Sequence, residues 1–511
     1  MFIKVSSATN LGLETIGVDV EINIASTGLP AFEIVGLPNK EVAESKERVR
    51  TAILNSKIEF PARRIIVNLA PADLPKQGSF YDLPIAIGIL SLITNCFLPQ
   101  RSLFFGELSL EGKLRYTRGT LLLSLFAKEK GIKKIFVPKA SANEADVIKG
   151  VQVFPVESLV QLIAYFLDKT KIFPAQYQER AAPIGGQDVE FDMAEVLGQE
   201  QAKRALEIAA AGGHNIFMIG SPGSGKTMLA RALPGILPPL DEKESLEVTK
   251  VYSASGNLGP DSSLIKICPF RAPHHTVSQA GLVGGGTNPS PGEISLAHRG
   301  VLFLDEFTEF PRYVMEAMRQ PMEDGFLTIS RSKARVCYPA RFILVASSNP
   351  CPCGYLYHPK KACICSQREI RKYRKRISGP ILDRIDLHVD VPVVDVKDLS
   401  EDAGLKRFLE PSMEIRERAI RAREIQRRRF SCQGIFTNSE MKNKHIKKYC
   451  HLSKGAKLLL RQAVSNFNLS ARAYYKMIKI SQTIADLAGA GEIAVEHMAE
   501  ALQYRLKTND K

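Results

Sequence analysis

No stretch of this chain is long and apolar enough to cross a bilayer. The most hydrophobic run, Leu83 to Leu98, is interrupted by Pro84 and Gly88. It falls short of the ~20 residues a spanning helix needs, so it reads as a buried helix. The N-terminus, Met1-Phe2-Ile3-Lys4-Val5-Ser6-Ser7, lacks the apolar core of a secretory signal. A cytoplasmic protein is expected. Cysteine is sparse too: of nine, four crowd into residues 351–365. A disulfide framework is not spaced that way, which leaves reduced thiols and, at the cluster, a metal as the expectation. Acidic residues are outnumbered, 54 against 69 Lys and Arg, for a formal net charge of +15. That balance favours a polyanionic partner, although ribosomal contacts or an anionic membrane surface would fit the charge equally well. An apolar content of 45% argues against a disordered chain. At ~100–200 residues per domain, the 511 residues make about three domains.

What is present is organised around His214 to Thr227. An apolar run enters Gly220-Ser221-Pro222-Gly223-Ser224-Gly225-Lys226-Thr227, and a helical pattern starting at Met228 follows. This is G-x-x-x-x-G-K-T between a strand and a helix, the phosphate loop in its required context. Backbone N–H groups close around the phosphates there and the helix N-terminus adds its dipole. Lys226 is expected to reach the β/γ-phosphates and Thr227 to ligate Mg²⁺. About 80 residues downstream, the apolar strand Gly300 to Leu304 ends in Asp305 and Glu306. Asp305 then belongs to the Mg²⁺ sphere and Glu306 to the attacking water. A third strand, Arg341 to Ser348, delivers Asn349, either to orient that water or as a strand-end turn former. Arg384 stands between Asp383 and Asp386, as a local ion pair or as an arginine finger for a neighbour's γ-phosphate.

Ahead of this unit, residues 1–175 alternate strand and helix patterns, such as the period-two run Val18 to Ile24. They resemble the proteolytic domain of Lon proteases, with its ribosomal-protein-S5-domain-2-like α/β fold, chiefly at Pro75-Lys76-Gln77-Gly78 and Gly131 to Pro138. By that resemblance Phe80 stands where Lon carries its nucleophilic Ser and Leu121 where it carries its Lys. A Ser–Lys dyad needs a hydroxyl and an amine, so a non-proteolytic scaffold or DNA-contacting domain is expected. Residues 176–190 read as a linker.

Pro269 to Thr276, Leu304 to Phe307, Asn349-Pro350-Cys351-Pro352-Cys353-Gly354 and Ser378 to Asp386 together resemble the ComM/YifB family. These are AAA+ proteins of the magnesium-chelatase-like branch with a Lon-like N-terminal domain. The resemblance implies a homo-hexameric ring ATPase with ATP and Mg²⁺ as cofactors. Its substrate would be DNA, with branch migration during natural transformation as its role. It makes Arg384 the finger and Arg472 the sensor-2 arginine of a helical lid. The implied layout is a P-loop AAA+ core with a parallel sheet at 191–395 and a C-terminal helical lid at 396–511.

Three further features remain open in the sequence. Gly325 to Val336 reads as a β-hairpin whose Arg331, Lys333 and Arg335 track phosphates in a ring pore, or merely form a solvated basic turn. Cys351, Cys353, Cys363 and Cys365 offer four thiolates to a structural Zn²⁺, although their C-x-C spacing departs from the familiar C-x₂₋₄-C and reduced thiols are the alternative. The basic segment that follows, with Arg371, Lys372 and Arg374, either holds a DNA backbone or is a solvated helix face. Gly281 to Gly286 suggests a mobile loop, and His274 and His275 read as structural. The rivals to a DNA motor are a Lon-like protease, a magnesium-chelatase subunit and a DNA-binding scaffold whose ATPase controls only assembly.

Overall fold

The computed structural model describes residues 1–74, 76, 78–177, 190–259, 264–286, 289–331, 334–393, 410–431 and 433–505, with positions 331 and 334 described by backbone alone. Most of the expected linker, the expected boundary at 395, and Lys333 lie outside the described residues.

Among the described residues the N-terminal region carries a four-stranded sheet, a three-stranded sheet and the small pair Glu107–Leu108 with Leu114–Arg115. Phe2–Leu11, Glu14–Ile24 and Arg64–Ala70 pair antiparallel, and Ala31–Val35 runs parallel to the last of them. Val18, Val20, Ile22 and Ile24 are buried on one face, as the period-two pattern requires. The apolar run becomes the helix Asp82–Thr94, buried continuously from Asp82 to Ser91. Pro84 is tolerated there because it falls in the first turn, where no intrahelical N–H bond is lost. Ser102–Phe104, Lys134–Pro138 and Gln152–Val156 form a parallel three-stranded sheet. Phe80 stacks on Phe105 at 4.4 Å between ring centroids, and Leu121 is fully buried. Both positions are core packing.

The second unit is built on a parallel five-stranded sheet. Its order is Phe270–Arg271, Val301–Leu304, Ile343–Ser348, Ile216–Ile219 and Leu387–Asp390. The first strand in sequence thus sits between the fourth and the fifth. Val301–Leu304 and Ile343–Ser348 are buried at every position, as strands covered on both faces must be. The carboxyl ends of three neighbouring strands therefore converge on one edge, where ligands bind in open α/β sheets. The basic hairpin forms as expected, Phe326–Arg331 against Ala334–Pro339. The glycine run near 281 is not a plain loop. Ser278 caps the short helix Gln279–Val283 by accepting from Gly281 N–H at 3.0 Å, and Gly284–Gly285 pairs with Ser290–Pro291.

The C-terminal region is helical: Ser412–Arg429, Asn443–Tyr449, Lys454–Phe467, Ala471–Leu487 and Val495–Gln503. It shares one hydrophobic core with the sheet and with the helix Glu200–Gly212. The arginine-rich helix Ser412–Arg429 spends three of its seven arginines internally, and Arg416, Arg421, Arg427 and Arg428 are exposed. Arg418 pairs with Glu207 and Glu410, Arg429 pairs with Asp486, and Arg423 donates to the carbonyls of Ala210 and Ala211 that end Glu200–Gly212. Those last bonds satisfy acceptors that a helix C-terminus leaves open. Among the described residues no helix is long and apolar enough to cross a membrane.

Candidate nucleotide site

The phosphate loop spans Gly220 to Gly225 and ends in the helix Lys226–Ile236. Gly223 and Gly225 adopt φ of 76° and 89°, which other residues rarely sustain. Lys226 Nζ lies inside the loop, donating to the carbonyls of Gly220 at 2.7 Å and Ser221 at 2.9 Å, and to Asn349 Oδ1 at 3.4 Å. Burial lowers the Lys226 pKa, opposed by the nearby Asp305 and Glu306 carboxylates. Thr227 Oγ1 donates to Asp305 Oδ2 at 2.9 Å. The other Asp305 oxygen accepts from the Ser347 hydroxyl and from the Glu306 N–H. A threonine hydroxyl beside a carboxylate is the hard-oxygen pair that Mg²⁺ takes together with phosphate oxygens and waters. The residues present therefore fit ATP with Mg²⁺, held by the loop amides, Lys226, Thr227 and Asp305.

Glu306 is exposed at φ 51°, turned out of the strand into solvent at the same edge. His275 Nδ1 approaches its Oε2 at 3.7 Å. The Gln199 side chain donates to Ser224 O at 3.3 Å, which ties the turn before Glu200–Gly212 to the phosphate loop. Lys226, Thr227, Asp305, Glu306 and Asn349 thus gather in one site from three strand ends.

The two arginines do not join them. Arg384 donates to Pro380 O at 2.7 Å and pairs with Glu323, and Arg472 pairs with the same carboxylate. Among the described residues no hydrogen bond or ion pair joins either arginine to the phosphate loop. Arg384 does form an ion pair, but not with its sequence neighbours. Asp386 is engaged by His214 and by the Asn215 N–H instead. Arg384 and Arg472 line a cleft of about 630 Å³ with Glu323, Arg341, Lys476 and Lys479.

The cysteine knuckle lies directly after Asn349. Sγ–Sγ distances are 3.4 Å for Cys351–Cys353, 3.7 Å for Cys351–Cys363 and 3.6 Å for Cys353–Cys363, and all four sulfurs lie within 4.8 Å of one another. A disulfide would bring two sulfurs to ~2.05 Å. Tetrahedral zinc with ~2.3 Å bonds would set them about 3.8 Å apart. The backbone N–H of Leu356 points at Cys351 Sγ and that of Cys353 at Cys365 Sγ, each at 3.4 Å. N–H donors of this kind support metal-bound thiolates. The donor set fits a closed structural zinc site despite its C-x-C spacing. On the basic helix that follows, Gln367–Arg374, Arg371 and Lys372 are exposed and Arg374 is half-buried. On the hairpin Arg335 is exposed. The Arg331 side chain, like Lys333, lies outside the described residues.

Comparison with known proteins places this geometry. Models described as "Magnesium chelatase, subunit ChlI", "Subunit ChlI of Mg-chelatase" and "Magnesium chelatase, subunit ChlI C-terminal" match residues 192–399, 20–141 and 409–505. The chain is 42% identical to the Competence protein ComM of Haemophilus influenzae, over 98% of this chain and 97% of that protein. It is 41% identical to YifB of Salmonella typhimurium, over 97% and 95% of the two chains. The chain belongs to the ComM/YifB family. Within the magnesium-chelatase-like AAA+ group it is also 27% identical to the Magnesium-chelatase 38 kDa subunit of Rhodobacter capsulatus, over 46% of this chain and 69% of that one. Ser347 on Asp305, and Glu323 under the two arginines outside this ComM/YifB site, carry no motif in the sequence, and His275, read there as structural, lies against Glu306.

Proposed function

We infer that this chain is an ATP-driven, hexameric ring motor that promotes branch migration of DNA recombination intermediates in the cytoplasm, in the setting of natural transformation. One observation carries the reading. The phosphate-binding, Mg²⁺-binding and water-activating residues gather in one place, while Arg384 and Arg472 are held together elsewhere, on Glu323. A finger not offered to its own phosphate loop suits a neighbour's, so hydrolysis occurs between subunits. Lys226 neutralises the β/γ-phosphates, Glu306 orients the attacking water with Asn349, and the next subunit's Arg384 and Arg472 stabilise the charge that develops. Bound Mg²⁺ supplies charge neutralisation at Thr227 and Asp305. The competence name of the relative supports a role on incoming DNA, and the +15 charge suits a polyanion. Arg331, Lys333 and Arg335 on the hairpin, with Arg371, Lys372 and Arg374, are the candidate DNA contacts. The N-terminal region is a non-proteolytic Lon-like domain, and a structural Zn²⁺ on the four cysteines completes the cofactor set.

The test is ATP-dependent strand displacement on a three- or four-stranded branched DNA at moderate salt, comparing wild type with Lys226→Ala, Glu306→Gln and Arg384→Ala. Displacement lost in all three variants supports an intersubunit DNA motor. Binding and hydrolysis by wild type without displacement would sink it. A second reading, a chelatase-type motor on a non-DNA substrate, draws on the match of residues 20–141 to a magnesium-chelatase subunit. It predicts an ATPase stimulated by a partner subunit and porphyrin and indifferent to DNA.

A further inference from the structure

The cysteine knuckle is not a peripheral ornament. It leaves the sheet at Asn349, within 3.4 Å of Lys226 Nζ, and returns to the nucleotide site at two places. Gly354 is buried at φ 81°, and a Cβ added there would lie 2.6 Å from Pro222 Cδ and 3.8 Å from Asn349 Cγ. The knuckle backbone therefore rests on the middle residue of the phosphate loop. On its far side, Ser366 accepts from the Glu369 N–H and starts the helix Gln367–Arg374, whose buried Tyr373 is fixed by the Thr308 hydroxyl at 2.6 Å. Thr308 follows Asp305 and Glu306 in sequence, and its hydroxyl lies 3.4 Å from that of Ser348, next to Asn349. Arg376 adds an ion pair to Glu309 at 2.7 Å.

Between these two anchorages the chain from Cys351 to Cys365 has no helix or strand to hold it. Its packing is equally thin: Tyr357 and Ile364 are 80% and 88% exposed. What closes this segment is the meeting of four sulfurs. Four thiolates gathered so closely would repel one another, and a bound cation would offset that repulsion. The loop that leans on Pro222 thus depends on the cysteine cluster for its shape.

We propose that metal binding by Cys351, Cys353, Cys363 and Cys365 positions the phosphate loop. A clamped knuckle holds Gly354 against Pro222 and fixes Asn349, so that nucleotide affinity depends on the metal. This rests on the structural-zinc reading above and adds a role to it. The cysteines are positioning residues, since none touches the nucleotide site directly. The exposed basic face of Gln367–Arg374 lies on the same unit, and Tyr373 gives it a route to Thr308 beside the catalytic acids.

The experiment uses the full-length protein. Metal content is counted by inductively coupled plasma mass spectrometry. Affinity for a fluorescent ATP analogue is measured with Mg²⁺ in excess for wild type, for wild type stripped by a zinc-selective chelator, for a Cys363→Ser/Cys365→Ser double variant and for Gly354→Ala. We expect one Zn²⁺ per chain in wild type and in Gly354→Ala, and none in the double variant. We also expect at least fivefold weaker nucleotide binding in the stripped protein, restored by added Zn²⁺. Gly354→Ala, which spares the thiols but pushes a methyl group into Pro222, should weaken binding while keeping its metal. Zinc that is bound but removable without change in nucleotide affinity would overturn the positioning role and leave the metal site standing. Protein that never takes up zinc, even after reconstitution, would overturn both. Should the double variant fail to fold, the chelated wild type and Gly354→Ala decide the matter.

Discussion

At the scale of residues the site turns on how Asp305 is held. A carboxylate that must share Mg²⁺ with phosphate needs its rotamer fixed beforehand, and two hydroxyls do that: Thr227 on one oxygen and Ser347 on the other. Thr227 is itself an expected metal ligand, so its loss mixes two effects. Ser347 is buried and acts on the carboxylate alone. A hydrogen bond to a charged group is worth about 1.5–3 kcal/mol. Ser347→Ala is therefore expected to raise the Mg²⁺ concentration for half-maximal ATPase roughly ten- to hundredfold. ATP binding without Mg²⁺ should be little changed. An Mg²⁺ titration checks this, and an unaltered half-point would show that Thr227 alone orients Asp305. The motif residues were legible because the chemistry dictates their spacing along the chain. Ser347 was not, since one serine in a buried strand gives no signal. Glu323 was not either, because it meets Arg384 and Arg472 across 61 and 149 residues of sequence.

At the scale of elements, hydrophobic patterning found the strands that carry the nucleotide site and the buried helix Asp82–Thr94. After Pro311 the chain forms Arg312–Ala317 and Arg319–Asp324, two short pieces meeting at Met318. The sheet order could not be read from any one strand, since continuous apolar runs do not say which neighbours they pair with. That order has a consequence at the edge strand Leu387–Asp390, beside the phosphate-loop strand. His388 packs edge-on against Phe217 with centroids 6.0 Å apart. Burial, reinforced by the Lys476 charge, lowers its pKa to about 4. An unfolded histidine titrates near ~6.5. Between those values the unfolded chain binds a proton that the folded chain refuses, so stability is full at neutral pH and declines on acidification. Buried His298 is shifted the same way, chiefly by burial. The melting temperature is expected to drop between pH 6.5 and 4.5. His388→Phe should reduce the drop without abolishing it, because His298 remains. An acid profile identical to wild type would show that His388 is solvated in solution.

At the scale of the whole molecule, the N-terminal region is joined to the ATPase core by contacts that no local pattern reveals. Tyr116 donates to Leu258 O at 3.0 Å, and the Ser253 hydroxyl donates to Glu144 at 2.6 Å. Ser253 sits near the end of the helix Glu242–Ser255, whose start lies about 4 Å from Arg427 of the C-terminal region. All three regions therefore meet along one helix, and Glu144 is its buried polar link to the N-terminal one. Burial pushes the Glu144 carboxyl up, although Ser253 and the Leu121 N–H favour its charged form. A raised carboxyl pKa means that folding is favoured by the proton, so this contact weakens as pH rises through the shifted value. Two substitutions separate charge from hydrogen bonding. Glu144→Gln keeps the shape and an acceptor while fixing the neutral form that burial favours, so docking should lose its dependence on rising pH. Ser253→Ala removes a donor from a buried carboxylate and should cost about 1–3 kcal/mol. Hydrogen exchange at the Leu121 amide, which donates to Glu144, reports both changes from inside the contact. Faster exchange in Ser253→Ala, with a smaller loss of protection on raising the pH in Glu144→Gln than in wild type, is the expected pair. Equal exchange in all three proteins would mean that Glu144 is not what holds the N-terminal region on the AAA+ core.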